Sequence, residues 1–351
     1  MDLALNEPRL GYYRQAADRP TDSGDFLTAP ETHPIFGWTV ARRVERMWDE
    51  LGRPRPFRLV EYGAGSGTLG LSILEGFRRH GATDLLAAIR YRPIESNPNR
   101  LADLRRRFEA AELADKLELE AEVAKGAPAA SPAEPAKPAA GVVLANEFLD
   151  ALPVHRVLMR GGELLELYVV WRDGFAEVAA EPSTPALAAR LAADGVLGRL
   201  AEGQVGEVCL GIEPWLDGVA AELARGFLLL IDYGYVAAEL YGPRHLAGTL
   251  LGYRGHRVVE NPFADPGRVD LTAHVDFTAV HAAATERGFV AEPLATQQQF
   301  LIEAGLEPEL QSLQASPELS LADYARARSG IVRMLDPRHM GRFRVFVAER
   351  G

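Results

Sequence analysis

One stretch decides the fold of this chain: Arg58-Leu59-Val60-Glu61-Tyr62-Gly63-Ala64-Gly65-Ser66-Gly67-Thr68-Leu69. Its first five residues favour a β-strand, and its three alternating glycines predict a tight loop. Leu69, Ile73 and Phe77 then recur at helical spacing until Gly81, so a helix begins directly after the loop. Glycine lets a ligand approach the backbone closely, and the first turn of a helix offers N–H groups without helical partners. The stretch therefore predicts a strand, a ligand-binding loop and a helix.

The spacing of the glycines distinguishes two classes of cofactor. A dinucleotide fingerprint requires G-x-G-x-x-G, because its third glycine lets the helix approach a pyrophosphate. Here Gly63, Gly65 and Gly67 alternate, and Thr68 occupies the position of the third fingerprint glycine. This weakens the interpretation as a dehydrogenase. The arrangement Glu-x-Gly-x-Gly-x-Gly, which begins at Glu61, resembles instead the first motif of the S-adenosylmethionine (SAM) methyltransferases. The resemblance implies that Glu61 and the three glycines bind the cofactor.

A second strand and helix favour a cofactor site over a plain turn, which is the alternative for any glycine loop. Residues 90–95 have the pattern of a strand that ends in Glu95, and Asn97-Pro98 is typical of a helix start. In this type of fold, an acid at the end of the second strand accepts hydrogen bonds from ribose hydroxyls. Glu95 and its neighbour Ser96 are therefore predicted to bind the cofactor.

Polar side chains also follow the buried strand at residues 141–145. Asn146, Glu147 and Asp150 come directly after it. In a doubly wound sheet with strand order 3-2-1-4-5, the ends of strands 1 and 4 face each other where ligands bind. The three side chains are therefore predicted to lie opposite the glycine loop and to act in catalysis, Asn146 also as a cofactor ligand. The alternative is a helix N-terminus, where acids are favoured by the helix dipole.

The composition predicts a soluble protein. At 351 residues and 47% hydrophobic content, the chain can bury one large core, or a core and a smaller unit. A formal net charge of -11 argues against a nucleic-acid or anionic-membrane binder, and the run Arg105-Arg106-Arg107 is predicted to be the solvated face of a helix.

The single cysteine, Cys209, excludes an intramolecular disulfide. With neither a leader pattern nor a long apolar run, a cytoplasmic location is expected.

The middle of the chain follows a different pattern from its ends. Residues 154–159, 164–171 and 175–178 favour strands joined by hairpin turns, so an antiparallel insertion is predicted there, before the core resumes with an apolar strand at 226–235. The predicted division is residues 1–56, a flap and a packing helix; 57–153, the first half of the cofactor-binding core; 154–225, the insertion on the substrate side; and 226–351, the second half of the core with active-site loops.

Two histidines in the second half of the core are candidate bases. His256 follows a glycine-rich loop, and His274 lies in the segment Asp270-Leu271-Thr272-Ala273-His274-Val275-Asp276-Phe277. In an extended segment, its alternating polar residues would share one face. The pair Asp276-Phe277 is also typical of a helix start, and this reading outweighs a His/Asp metal site, so no metal is predicted.

With these residues assembled, the sequence resembles the MidA-like family of SAM-dependent methyltransferases over nearly its whole length. The segments that carry the resemblance are Gly11-Tyr12-Tyr13, Ser23-Gly24-Asp25-Phe26 with Thr28, Pro30 and Glu31, Phe36-Gly37, Glu61 to Gly67, Glu95, Ala145 to Pro153, Ile231 to Tyr235, Gly248-Thr249-Leu250 with Tyr253 and His256, Asp270 to Phe277, and Gln299-Phe300-Leu301.

The resemblance implies a class I SAM-methyltransferase fold, a Rossmann-like α/β sheet with SAM bound over the glycine loop and its ribose held by Glu95. It also implies that the segment from Ser23 to Glu31 is a flap that lines the site, with Phe26 and Thr28 as cofactor contacts. The family is related to a mitochondrial complex I assembly factor that methylates an arginine of a respiratory complex I subunit. The implied partner is therefore a protein with an exposed arginine.

Arginine methylation requires a proton acceptor, because a guanidinium has a pKa above about 12 and lacks a free lone pair. Glu147 and Asp150 are the first candidates, and Asp25 and Glu31 of the flap are the second. Two alternatives are kept: a methyltransferase acting on a small molecule or another side chain, for which a histidine could be the base, and a SAM-binding assembly chaperone without turnover. A homodimer is compatible with the sequence.

Overall fold

The computed structural model describes residues 1–15, 28–119, 138–255, 257–259, 261–315 and 320–351. The chain divides into two compact units, each built from three stretches of chain. The parallel-sheet unit comprises Ala16–Glu147, Gly218–Ile231 and Gly288–Gly351. The small-sheet unit comprises Met1–Gln15, Phe148–Asp217 and Asp232–Arg287. The four-part division expected from the sequence stays a prediction.

The elements are numbered in chain order. The helices are α1 (Asp2–Asn6), α2 (Ala29–Thr32), α3 (Ile35–Glu50), α4 (Thr68–Arg79), α5 (Thr83–Ala88), α6 (Pro98–Ala110), α7 (Ala186–Ala193), α8 (Ile212–Glu222), α9 (Ala237–Leu240), α10 (Phe277–Glu286), α11 (Gln297–Ala304), α12 (Leu306–Gln314) and α13 (Leu321–Leu335). The strands are β1 (Phe57–Tyr62), β2 (Ile89–Ile94), β3 (Ala139–Asn146), β4 (His155–Arg160), β5 (Glu163–Trp171), β6 (Phe175–Ala180), β7 (Val205–Val208), β8 (Leu223–Asp232), β9 (Gly234–Tyr235), β10 (Leu251–Arg254), β11 (Arg257–Val259), β12 (Asp270–Thr272), β13 (Val275–Asp276), β14 (Val290–Ala291), β15 (Ala295–Thr296) and β16 (Arg344–Arg350).

The central sheet has the Rossmann-like order expected from the sequence. Its strands follow the path β14-β16-β8-β3-β1-β2, in which β2, β1, β3 and β8 are parallel neighbours. The third strand of the expected order, next to β2, is reduced to one parallel bridge between Tyr91 and Leu117. Asn97 begins α6 as predicted, because its side chain accepts a hydrogen bond from the N–H of Asn99. The α/β fold class is confirmed.

Helices α3 and α4 pack closely against each other because glycines lie at their crossing. A Cβ atom on Gly37 would come within 2.4 Å of the Ser72 Cβ, and one on Gly76 would come within 2.7 Å of the Ala41 Cβ. The apolar stripe predicted for α4 is buried, and α3 also buries one apolar face. Each such side chain contributes about 1.5–3 kcal/mol by its burial, so this layer fixes the helix that follows the glycine loop.

A buried ionic network joins α3, α4 and α12. The two ring nitrogens of His80 contact the carboxylates of Glu45 and Glu309, and Arg42 also pairs with Glu309. Burial alone would lower the pKa of His80, but the hydrogen bonds to Glu309 and Glu45 outweigh burial and raise that pKa above its ordinary value of 6.5. The network therefore favours a charged imidazole between two carboxylates.

Removal of this imidazole should have a pH-dependent cost. Because the pKa of His80 is raised on folding, its contribution to stability is present in full below pH 6.5 and is lost as the pH rises through the raised value. We expect His80→Asn to lower the free energy of unfolding more at about pH 6 than at about pH 9, as measured by urea unfolding. His339, an exposed histidine, provides the matched control His339→Asn. A loss that does not change with pH would contradict a charged His80.

The small-sheet unit contains the predicted antiparallel insertion. Its four-stranded sheet has the order β6-β5-β4-β7, and the pairs β4–β5, β5–β6 and β4–β7 are all antiparallel. Residues 1–15 belong to this unit as well, since Leu5 and Tyr12 are buried against Val269 and Leu271. Among the residues described, no helix combines the length and the apolar composition needed to cross a membrane.

Candidate active site

The glycine loop has the backbone that its sequence predicts. Gly63, Gly65 and Gly67 have φ values of 69°, 55° and 75°, in the left-handed region that favours glycine. The N–H of Gly63 donates to the carbonyl of Ile94 at 2.9 Å, which holds the start of the loop on β2. A Cβ atom on Gly67 would lie 2.6 Å from Leu104 Cγ, so this glycine also lets α6 pack beside the loop.

Glu95 is attached directly to the loop. Its carboxylate accepts hydrogen bonds from the N–H of Gly65 at 2.9 Å and from the N–H of Asn97 at 2.8 Å. Each carboxylate oxygen can accept a second hydrogen bond, so both oxygens can still receive ribose hydroxyls. Ser96, the other residue predicted here, is exposed. The position of Glu95 suits the ribose of a nucleoside bound over the loop.

Glu61 is held inside the sheet below the loop. The hydroxyl of Tyr91 on β2 donates to the Glu61 carboxylate at 2.6 Å. The Tyr91 ring stacks on the ring of Phe108 of α6, with the ring centroids 5.1 Å apart. Burial raises the pKa of Glu61 to about 7. These contacts connect β1 to β2 and α6. A direct contact between Glu61 and the cofactor stays a prediction.

Arg107 is a residue of this site that the sequence did not single out. Its guanidinium donates to the Ser66 carbonyl at 3.2 Å, to Ser66 Oγ at 2.9 Å and to Thr68 Oγ1 at 2.7 Å. The prediction that Arg105-Arg106-Arg107 forms a solvated face is wrong for Arg107, although its two neighbours are exposed. The spacing within the helix could have identified it. Arg107 lies three residues after Leu104 and therefore on the same face of α6, the face that lies along the loop.

Arg107→Ala should weaken cofactor binding. Loss of three hydrogen bonds at about 0.5–1.5 kcal/mol each would loosen the loop, so we expect KM for SAM to rise about tenfold or more while kcat changes little. Calorimetry with S-adenosyl-homocysteine and initial rates would measure both effects. Arg106→Ala removes an exposed arginine from the same helix and should change neither. Equal effects of the two variants would contradict the role of Arg107.

The end of β3 presents a positioned carboxylate in the parallel-sheet unit. Glu147 has a φ of 50°, which non-glycine residues rarely adopt. Its N–H donates to the Ile231 carbonyl at 2.8 Å, and its Oε1 accepts from the Asn146 amide at 3.2 Å. Asn146 Oδ1 is buried and has no hydrogen-bond partner among the described residues. Only a three-residue 3-10 turn, Leu149–Ala151, follows, so the alternative explanation by a helix dipole is weak here.

Asp232, the last residue of β8, organises the loop in the small-sheet unit that contains Asp150. Its Oδ2 accepts hydrogen bonds from the N–H groups of Phe148, Leu149 and Asp150 at 3.1, 2.9 and 3.3 Å, and its Oδ1 accepts from the N–H of Tyr233 at 2.9 Å. A carboxylate with four backbone donors is well stabilised as an anion. Sequence analysis did not select Asp232, although it ends a buried strand.

Asp150 is buried and differs from Asp232 in its partners. Its Oδ2 accepts a hydrogen bond from the Tyr233 hydroxyl, while its Oδ1 has no hydrogen-bond partner among the described residues. Burial raises the pKa of Asp150 well above its ordinary value of 3.8, and the charge of Asp232 raises it further. Asp150 is therefore a weaker acid than an ordinary aspartate. Its role in catalysis stays a prediction.

The remaining predicted residues are placed as follows. The rings of His274 and Tyr233 pack edge-on with their centroids 5.6 Å apart. The backbone N–H of His274 donates to Thr249 Oγ1 at 3.1 Å. Thr28 donates to the Glu31 carboxylate through both its N–H and its hydroxyl, at 3.2 and 3.0 Å. His256, Asp25 and Phe26 lie outside the described residues, as does most of the expected flap.

The segment from Asp270 to Phe277 holds two short strands, β12 and β13, and the start of α10. Asp276 begins α10 by accepting hydrogen bonds from the N–H groups of Thr278 and Ala279. In the part of the chain with assigned positions, no three His, Cys, Asp or Glu side chains are placed to hold a metal ion.

Comparison with known proteins identifies the cofactor. A family model of S-adenosyl-L-methionine-dependent methyltransferases matches residues 39–293. The Drosophila melanogaster protein arginine methyltransferase NDUFAF7 homolog, mitochondrial, is 31% identical over 362 residues, which cover 97% of this chain and 78% of that protein. The human protein arginine methyltransferase NDUFAF7, mitochondrial, is 28% identical over 367 residues, which cover 99% of this chain and 78% of that protein. A Burkholderia thailandensis protein solved with S-adenosyl-homocysteine bound has a TM-score of 0.82 at 28% identity, over 99% of this chain and 85% of that chain.

The geometry of the parallel-sheet unit fits this cofactor. A Cβ on Gly65 would meet the Arg100 guanidinium at 3.6 Å and the Gly63 carbonyl at 4.0 Å, both ordinary contact distances, so a ligand can approach the backbone there. The carboxylate of Glu95 would receive the ribose hydroxyls, and the buried Asn146 Oδ1 can accept a further donor. We conclude that the chain belongs to the family of S-adenosyl-L-methionine-dependent methyltransferases and that SAM is its cofactor.

Proposed function

We propose that this methyltransferase modifies an arginine side chain of a protein and that Glu147 accepts the proton released in the reaction. The observation that carries the proposal is the left-handed backbone of Glu147 at the end of β3. Such a conformation costs a non-glycine residue about 1–2 kcal/mol and is found preferentially at functional sites. It fixes the direction of a carboxylate that belongs to the same unit as the glycine loop.

Arginine is an acceptor that needs such a carboxylate. Bound SAM supplies the methyl group as an electrophile. The residues of the chain must align the acceptor nitrogen and take up its proton, because a guanidinium is protonated at any physiological pH. A glutamate oriented by a neighbouring amide, as Glu147 is by Asn146, can do both.

Two further observations support a protein acceptor. The Drosophila and human relatives are named protein arginine methyltransferases. The net charge of -11 also attracts a basic target segment, so association with the acceptor should weaken as the salt concentration rises. A respiratory complex I subunit, the target implied by the family resemblance, is the first acceptor to test.

The test uses lysate from a strain that lacks the protein. The purified protein and radiolabelled SAM are added, and new methyl groups are mapped by mass spectrometry. We expect them on arginine in one or a few proteins, and we expect Glu147→Gln to abolish the signal. Label confined to small molecules, or to lysine or carboxyl side chains, would overturn the arginine assignment. Absence of transfer with SAM binding intact would favour an assembly chaperone.

A further inference from the structure

We propose that two aspartates and two tyrosines of the small-sheet unit bind a guanidinium group of the acceptor protein. This aspartate–tyrosine cluster consists of Tyr13, Asp150, Tyr233 and Asp270. The proposal rests on the proposed function for the identity of the acceptor, and it adds Tyr13 and Asp270 as residues that determine specificity.

Three separate stretches of chain bring the cluster together. The Tyr13 hydroxyl donates to Asp270 Oδ1 at 2.7 Å, and the Tyr233 hydroxyl donates to Asp150 Oδ2. The N–H of Ala273 donates to the Asp150 carbonyl at 2.9 Å, which holds the loop of Asp150 beside β12. The cluster thus consists of two phenol–carboxyl pairs on a hydrogen-bonded framework.

The observation that points to a ligand is the free oxygen of Asp150. The residue is only 5% exposed, and its Oδ1 accepts no hydrogen bond from any described residue. A buried acceptor without a donor is unfavourable and rare in folded proteins. Asp232, at the end of β8, has four backbone donors and therefore has no need of a ligand. The asymmetry between these two neighbouring carboxyl groups indicates that a donor from another molecule binds to Asp150.

The chemistry of the cluster selects a guanidinium. A guanidinium carries five N–H donors in a plane, so one group can donate to the carboxyl oxygens of both Asp150 and Asp270. The flat face of a guanidinium can also pack on aromatic rings. Two such rings lie side by side here, since the ring centroids of Tyr233 and His274 are 5.6 Å apart. An ammonium group is a compact charge that gains less from paired carboxyl groups and rings.

Binding of a cation should release a proton. The titratable groups around Asp150 are Asp232 and Tyr233 at the end of β8, Asp270 on β12 and Tyr13 of the N-terminal segment. Burial and the carboxylates among them raise the pKa of Asp150, and a cation bound beside its carboxyl group would lower that pKa again. The affinity for a guanidinium should therefore increase with pH until the raised pKa of Asp150 is passed, and should then level off.

The experiment titrates the protein, saturated with S-adenosyl-homocysteine, with Nα-acetyl-arginine methylamide and follows binding by NMR. The matched probe is Nα-acetyl-citrulline methylamide, which has the same shape without the charge. We expect the arginine probe to bind about tenfold to a hundredfold more tightly than the citrulline probe. We also expect Asp270→Asn and Asp150→Asn to remove that preference, and Tyr13→Phe to reduce it about two- to tenfold.

Both asparagine variants keep a side-chain oxygen for the tyrosine hydroxyl, so their melting temperatures should stay close to that of the parent protein. Asp265→Asn is the control, because it removes an aspartate that is 49% exposed and pairs with the exposed Arg254 of the same unit. It should leave probe binding unchanged. Equal affinity for the arginine and citrulline probes, or an affinity that does not change with pH, would overturn the proposal.

The outcome can be separated from that of the proposed function. If the arginine probe binds through Asp270 but the lysate yields no methylarginine, the cluster is a cation site and the acceptor assignment fails. If methylarginine forms in the lysate and Asp270→Asn changes neither its yield nor probe binding, the acceptor assignment stands and the cluster proposal fails.

Discussion

Glu147→Gln should lower the rate of methyl transfer at least about a hundredfold, while the fold and the affinity for SAM stay unchanged. Glutamine preserves the size of the side chain and an oxygen for the Asn146 amide, but it cannot accept a proton at neutral pH. Turnover, the melting temperature and the dissociation constant of S-adenosyl-homocysteine, measured on one preparation, test this expectation. If Glu147 serves only the local backbone, the change should cost at most about 0.3–1 kcal/mol of stability and leave turnover intact.

A second substitution separates the backbone of Glu147 from its carboxylate. Glycine adopts a φ of 50° without steric cost, so Glu147→Gly relieves about 1–2 kcal/mol of strain and adds about 0.5–1 kcal/mol of entropy loss. The variant should be as stable as the parent protein, or more stable, and inactive. A stable and active Glu147→Gly would show that the carboxylate is dispensable and would contradict its proposed role as the proton acceptor.

Gly65→Val should abolish the binding of SAM and S-adenosyl-homocysteine. A β-branched residue is strongly strained at a φ of 55°, and its side chain would occupy the side of the loop that a ligand must approach. Calorimetry measures the loss directly. Thermal melting should agree, because a ligand that binds only the native state no longer raises the melting temperature.

Gly81→Val is the matched control for this prediction. Gly81 has a φ of 69° and open space around its Cβ position, and it lies beyond the other end of α4. The substitution should cost about 1–2 kcal/mol of stability through the same backbone strain, and it should leave the affinity for the cofactor unchanged. Binding of S-adenosyl-homocysteine to Gly65→Val with normal affinity would contradict the assignment of the loop.

The elements predicted correctly are those whose signals are local. The alternation of Gly63, Gly65 and Gly67 encodes three left-handed residues, and Asn97 caps α6 through the N–H two residues further on. The strand pattern predicts that the core strands end in polar residues. Because parallel strands end at the same edge of a sheet, these polar residues are expected along that edge. Each of these inferences needs only a few consecutive residues.

The parts of the site that escaped prediction depend on contacts distant in sequence. Arg107 looks like its two exposed neighbours in the sequence, and only the packing of α6 beside the loop singles it out. Tyr13 and Asp270 meet across 257 residues, and no pattern in either segment predicts the other. The raised pKa of Asp150 depends in turn on burial and on the charge of Asp232, and neither is visible in the local sequence around Asp150.

The interleaved construction of the two units has a consequence for synthesis on the ribosome. Residues 1–15 emerge long before residue 269, but Leu5 and Tyr12 pack against Val269 and Leu271. At about 5–20 residues per second, the separation of 257 positions between Tyr13 and Asp270 takes roughly 13–50 s to translate. During that time these apolar side chains lack their native partners. We expect nascent chains stalled before residue 269 to engage general chaperones through residues 1–15, and chains released after residue 287 to bury this segment.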